Sequence, residues 1–199
     1  RKINSHHRIW IKREDQLRFL YGNKIRYLEY VLGLYEKNNS NSLVHAGGIT
    51  SNYMTQLAMV GAEMGIPVHL IFNEKSPFII EGNHLLVKYF GANVHYNHGN
   101  NKLSNTERKK ELASDLLSGG DKPFVIDYPI SNYTAYFGYM RCLLELIKQM
   151  EDGCFDDAKN LHVFICSGWH SYLGMRMAAD ILKTDIRITA YRPTYWLGG

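Results

Sequence analysis

The stretch Ser42-Leu43-Val44-His45-Ala46-Gly47-Gly48-Ile49-Thr50-Ser51-Asn52 decides the fold class. Ser42 to Ala46 has the length and composition of a short buried strand. Two glycines follow, and from Thr50 to Gly65 the residues Met54, Leu57, Val60/Gly61 and Met64 recur at helical spacing. A strand, a glycine pair and a helix beginning near Ser51 collect backbone amides and hydroxyls at a positive helix end, where anions settle. The same residues also satisfy a simple N-cap, for which Ser51 is well suited.

The alternation continues outward from this point. Pro67 to Phe72 reads as a strand, Glu81 to Phe90 as a helix, and Gly91 to Tyr96 as a turn and a third strand. The polar, Asn-rich segment His98 to Asn105 reads as a loop, and Thr106 to Leu117 as a helix closed by Gly119-Gly120. Pro123 to Asp127, Tyr133 to Met150, Leu161 to Cys166, Ser171 to Leu182 and Asp185 to Ala190 carry the pattern on. Repetition of this kind predicts an α/β fold, with parallel strands and helices on both faces. There is no internal repeat and no low-complexity linker.

Composition bounds the function. A chain of 199 residues suffices for one domain or for two small lobes sharing a cleft. Its net charge of +4 is dispersed among acids, which argues against nucleic acid as the main partner. No apolar run approaches the ~20 residues of a membrane-spanning helix. Arg1-Lys2-Ile3-Asn4 leads almost directly into a folded segment, with no initiator methionine or signal peptide, so the chain reads as starting after a removed or unseen part. Cys142, Cys154 and Cys166 match no zinc spacing, and His6-His7 has no third ligand nearby. No metal is expected, and a reducing compartment, cytosol or organelle matrix, is the default.

A second stretch, Tyr21-Gly22-Asn23-Lys24-Ile25-Arg26-Tyr27-Leu28-Glu29-Tyr30, sets one lysine immediately before an amphipathic helix with Ile25, Leu28, Leu32 and Tyr35 on one face. Read alone, Lys24 is a solvated helix-start lysine. Together, the Gly-Asn-Lys and the Gly-Gly-x-x-Ser-Asn resemble the pyridoxal-phosphate enzymes related to D-cysteine desulfhydrase and 1-aminocyclopropane-1-carboxylate deaminase, which have the tryptophan-synthase-beta-like fold (fold type II). Further matches are Gly82-Asn83-His84-Leu85-Leu86 with Phe90-Gly91-Ala92, and Ser131-Asn132 with Gly138-Tyr139, both as scaffold.

The resemblance covers roughly Arg8 to Ala190 and implies two lobes. Residues 1–50 and 133–199 would form a larger lobe, incomplete at its C-terminal end, and 51–132 a smaller one. It implies pyridoxal 5'-phosphate as cofactor and Lys24 as the Schiff-base lysine that also shuttles the α-proton. It makes Ser51 the holder of the substrate carboxylate or handler of a substrate proton, and Asn52 the partner of the pyridoxal ring oxygen. Ser167, Gly168 and Ser171 are what remains of the phosphate cup.

The chain departs from the family pattern in places. Tyr53 follows the Ser-Asn pair where His or Gln is common, Pro129-Ile130 replaces two glycines, and Tyr21 stands where glycine is usual. Trp169-His170 replaces the two glycines of the phosphate loop, where backbone must approach the anion without a Cβ in the way. A tryptophan there is expected to compete for the cofactor's space. The terminal Pro193 to Gly199 aligns with nothing in the family.

Two functional expectations follow. One is a lyase or deaminase acting on a small amino acid by elimination or ring-opening deamination, releasing ammonia and a keto acid. The other is a catalytically inactive relative kept as a structural subunit of a larger protein assembly, a mitochondrial one among the options. The family tendency implies a homo-oligomer, and the setting expected is intracellular, cytoplasmic or mitochondrial.

Overall fold

A computed structural model describes residues 8–17, 22–96, 104–154, 161–166 and 169–192. Among the described residues are six strands: β1 (Ser42–Gly47), β2 (Val68–Phe72), β3 (Asn93–Tyr96), β4 (Pro123–Val125), β5 (His162–Cys166) and β6 (Arg187–Tyr191). They alternate with α1 (Ile25–Lys37), α2 (Asn52–Met64), α3 (Gly82–Tyr89), α4 (Asn105–Ser118), α5 (Tyr128–Glu151) and α6 (His170–Leu182). The fold is α/β, as the alternation predicts. Among the described residues no helix is long and apolar enough to cross a membrane.

The strands form two parallel sheets, one of four strands in the order β3-β2-β1-β4 and one of β5 beside β6. In the larger sheet Leu43 pairs with Val68 and with Phe124, and Leu70 with Val94. The strand Ser42–Gly47 lies in the middle of this sheet, between β2 and β4. Successive side chains of a strand point to opposite faces. Leu43, Leu70, Phe72 and Phe124 therefore face Leu28 and Val31 of α1, Met54, Leu57 and Val60 of α2, and Val87 of α3. Val44, Ala46 and Ile71 face Leu112 and Leu116 of α4. Met64, expected on the inner stripe of α2, is instead 46% exposed at the last residue of the helix.

A second core forms where α5 and α6 cross beside β5 and β6, from Ala135, Tyr139, Leu143, Met175, Ala178 and Ile186. Tyr27 of α1 belongs to this core, whereas Leu28 and Val31 belong to the first, so α1 is the element the two cores share. Two glycines set how close these helices lie. A Cβ at Gly138 of α5 would stand 2.5 Å from the Arg26 carbonyl oxygen of α1, and one at Gly174 of α6 would stand 2.5 Å from the Tyr136 carbonyl oxygen of α5.

Helix α5 starts earlier than Tyr133. Asp127 caps it by accepting from the Ile130 N–H at 3.0 Å, and Pro129 sits in the first turn, where its missing N–H costs nothing. Ser131-Asn132 is thus helical. Helix α4 opens with a reciprocal box in which the Glu107 carboxylate accepts from the Ser104 N–H and the Ser104 hydroxyl accepts from the Glu107 N–H.

Candidate active site

Because the strands of the larger sheet are parallel, their carboxyl ends share one edge, the position where open α/β sheets bind ligands. The segment Gly47 to Asn52 leaves β1 at that edge. Ser51 is the N-cap residue of α2, with extended backbone, but its hydroxyl makes no capping bond and is left for other work. Asn52 is exposed, and its Oδ1 accepts from Asn83 Nδ2 at 2.8 Å, while the same Asn83 amide also donates to the Thr50 carbonyl at 2.7 Å. Asn83 at the head of α3 therefore orients Asn52, a role beyond the scaffold one expected of Gly82-Asn83. The Glu74 carboxylate, just past β2, accepts from the Ile49 N–H at 3.0 Å.

Lys24 is the N-cap residue of α1, and its carbonyl accepts from the N–H groups of Tyr27 and Leu28. Its ammonium lies over the Tyr27 ring, 4.9 Å from the centroid. The hydroxyls of Tyr27 and Ser171 are 3.1 Å apart. Ser171 is buried in the first turn of α6, where the leading N–H groups have no intrahelical acceptor and the helix end is positive. Asn23 donates to the Tyr139 hydroxyl at 2.9 Å, which fixes the turn before Lys24 against α5. His170 sits beside Tyr136, ring centroids 5.5 Å apart. Burial and the nearby Lys24 charge push its imidazole below the ordinary range, so it is neutral at pH 7.

Thus Lys24 and Ser171 are brought to one place, and Ser51 and Asn52 head the neighbouring helix α2. Ser167 and Gly168, expected in the phosphate cup, lie outside the described residues. Trp169 precedes α6 with its backbone outside the helical region and is 60% exposed. Among the described residues there is no cluster of three or more His, Cys, Asp or Glu that could hold a metal.

Tyr53 links the α2 segment to the Lys24 side, since it packs against both hydrophobic cores. Its ring meets His45 edge-on at 5.0 Å, and its hydroxyl is buried with no partner among the described residues. Burial, with the neighbouring Tyr27, pushes that hydroxyl above the ordinary tyrosine range. Burial likewise pushes His45 down to about 4, against the Ile126 carbonyl that its ring faces at 3.1 Å.

Sequence reasoning missed Tyr27 and Glu74 as members of this region, and singled out Tyr53 only as a departure from the family pattern. Tyr27 carried a signal, since it stands three residues after Lys24 and so on the same helix face. Glu74 carried none, because only strand pairing brings the end of β2 beside the Gly47-Gly48 turn.

Comparison with known proteins bears on the fold and the family. The chain is 34% identical over 151 residues to a D-cysteine desulfhydrase of Yersinia pestis (strain Pestoides F), which covers 71% of this chain and 44% of that protein. The solved structure of an ACC deaminase homologue superposes with a TM-score of 0.73 at 26% identity, covering 90% of this chain and 54% of that one. A hydrogen sulfide-producing enzyme from Fusobacterium nucleatum shares the fold, with a TM-score of 0.61 at 18% identity over 92% of this chain and 53% of that one. The chain thus spans about half the length of the relatives it matches. The model of one family, described as pyridoxal-phosphate dependent enzyme, runs over residues 2–193, through both sheets and across the lysine turn and the Gly-Gly-x-x-Ser-Asn segment. The chain belongs to the family of pyridoxal-phosphate-dependent enzymes.

Proposed function

We propose that this chain carries the cofactor-holding part of a lyase or deaminase acting on a small amino acid, of the D-cysteine desulfhydrase or ACC deaminase type. The observation that carries the reading is the meeting of the Lys24 amine with the head of α6 at Ser171, through Tyr27. Pyridoxal phosphate presents an aldehyde, a phosphate and a ring oxygen. The donors here fit that set: an amine, a positive helix end with a buried hydroxyl, and the amide of Asn52.

When bound, the cofactor supplies an electron sink for the bonds of the amino-acid α-carbon. Lys24 Nζ would hold the group, and would accept and return a proton at the substrate α-carbon. The Ser171 hydroxyl and the first N–H groups of α6 would hold the phosphate. The Ser51 hydroxyl, uncommitted to its own helix, would orient the substrate carboxylate, and Asn52, fixed by Asn83, would meet the ring oxygen. The reaction so supported is β-elimination, which expels sulfide from a cysteine-type substrate, or ring-opening deamination; in either case hydrolysis then releases ammonia and a keto acid.

The test is borohydride reduction of the full-length protein with pyridoxal phosphate, followed by peptide mass mapping. A phosphopyridoxyl group on Lys24, absent from Lys24→Ala, is the expected result. No Lys24 adduct at saturating cofactor would overturn this reading and favour the non-catalytic, structural one.

A further inference from the structure

Tyr27 stands between the two halves of the candidate site. It is only 8% exposed and belongs to the second core, yet it sits on the helix that Lys24 opens. Its two ends do different things. The ring face lies under the Lys24 ammonium at 4.9 Å, and the hydroxyl reaches Ser171 Oγ at 3.1 Å. A loop of contacts closes behind it. Asn23, next to Lys24, donates to the Tyr139 hydroxyl at 2.9 Å, and the Tyr139 and Tyr27 rings lie 6.0 Å apart.

A buried serine hydroxyl rotates to suit its partner, and so it is fixed only when that partner is fixed. Tyrosine does this well here: its ring is clamped by the core, and only the hydroxyl hydrogen remains to be oriented. A lysine end over a ring face is held in place without a direct hydrogen bond that a ligand would have to break.

We propose that Tyr27 is a positioning residue of the cofactor site, its ring placing the Lys24 amine and its hydroxyl setting the Ser171 hydroxyl at the head of α6. This rests on the pyridoxal-phosphate reading given above. The two arms are separable with two probes. Pyridoxine 5'-phosphate has no aldehyde and reports the phosphate and ring contacts without a bond to Lys24. Pyridoxal has no phosphate and, trapped with borohydride, reports the Lys24 end.

In the full-length protein, Tyr27→Phe keeps the ring and removes the hydroxyl. It is expected to weaken pyridoxine 5'-phosphate binding by about three- to tenfold, the range for one lost hydrogen bond. Pyridoxal incorporation at Lys24 stays within about twofold, since the ring contact is kept. Ser171→Ala gives a comparable loss for pyridoxine 5'-phosphate, and the double variant loses little more, because both substitutions remove one coupled pair. Tyr27→Leu lowers pyridoxal incorporation as well. The Tyr27→Phe and Ser171→Ala cycle decides the matter even where Tyr27→Leu does not fold.

A purely structural tyrosine would move both probes together, and that result overturns the inference. So does a Tyr27→Phe variant that binds pyridoxine 5'-phosphate as tightly as the unsubstituted protein, or losses that simply add. If the unsubstituted protein binds neither probe, the cofactor reading falls and this inference falls with it.

Discussion

Arg26 grips Glu145 with two parallel hydrogen bonds, Nη1 to Oε1 at 3.0 Å and Nη2 to Oε2 at 2.9 Å, and so ties α1 to α5 two residues after Lys24. The other edge of the same guanidinium bonds Glu14, and Lys12 bonds Glu145 at 3.0 Å. The charged cluster therefore pins the segment ahead of the lysine turn as well as the helix after it. A planar, two-pronged pair of this kind is the strong form of a charge-assisted hydrogen bond.

Glu145 should make the fold acid-sensitive. Burial alone would raise its carboxyl, but the bonds from Arg26 and Lys12 outweigh that and take it from the ordinary 4.5 down to about 2. A group lowered in the folded state contributes stability above its unfolded pKa and loses it as pH falls. Urea midpoints should therefore drop between pH 4.5 and about 2, with a shallower drop in Glu145→Gln. At pH 7 the substitution should cost no more than about 1 kcal/mol, since solvent screens the pair.

His45 acts at higher pH. Its folded pKa, about 4 against an ordinary 6.5, means the unfolded chain binds the extra proton between those values. Stability should fall as pH drops from 6.5 to 4, with a slope of at most about 1.4 kcal/mol per pH unit. Thermal melts of His45→Gln across that window should be flatter; an unchanged slope would assign the dependence to other groups.

The glycines of the helix crossing should be intolerant, and one of their neighbours should not. Gly138→Ala and Gly174→Ala each drive a Cβ to within 2.5 Å of a backbone oxygen, which no side-chain rotation relieves. Each should cost about 1–3 kcal/mol or more by forcing helices apart. Gly33, inside α1 with nothing within 4 Å of an added Cβ, should behave oppositely. There, Gly33→Ala should stabilise by about 0.5–1 kcal/mol through helix propensity. Denaturant titration of the three variants separates close approach from backbone entropy.

Tyr53→Phe should stabilise the cofactor-free protein or leave it unchanged. The buried hydroxyl has no partner among the described residues, so removing it relieves a desolvation cost of about 1–3 kcal/mol. A lower melting temperature in the variant would show that the hydroxyl is satisfied in solution.

The sequence by itself determined the kind and order of the elements and the two motifs. Strand and helix periods are local, so Ser42–Gly47, Val68–Phe72 and Gly82–Tyr89 were legible to within a residue or two. The early start of α5 was written in Asp127 and Pro129 but hidden by the family's glycines at that position. Lys24, Ser51 and Asn52 were legible as motif residues for the same local reason. Tertiary structure alone decided that β1 sits in the middle of a four-stranded sheet, since pairing depends on which edges meet. It also decided that Trp169 faces solvent, and that the hydroxyls of Tyr27 and Ser171, 144 residues apart, share a hydrogen bond. That contact needs α1, α5 and α6 to approach at Gly138 and Gly174, a matter of packed surfaces that no local pattern encodes.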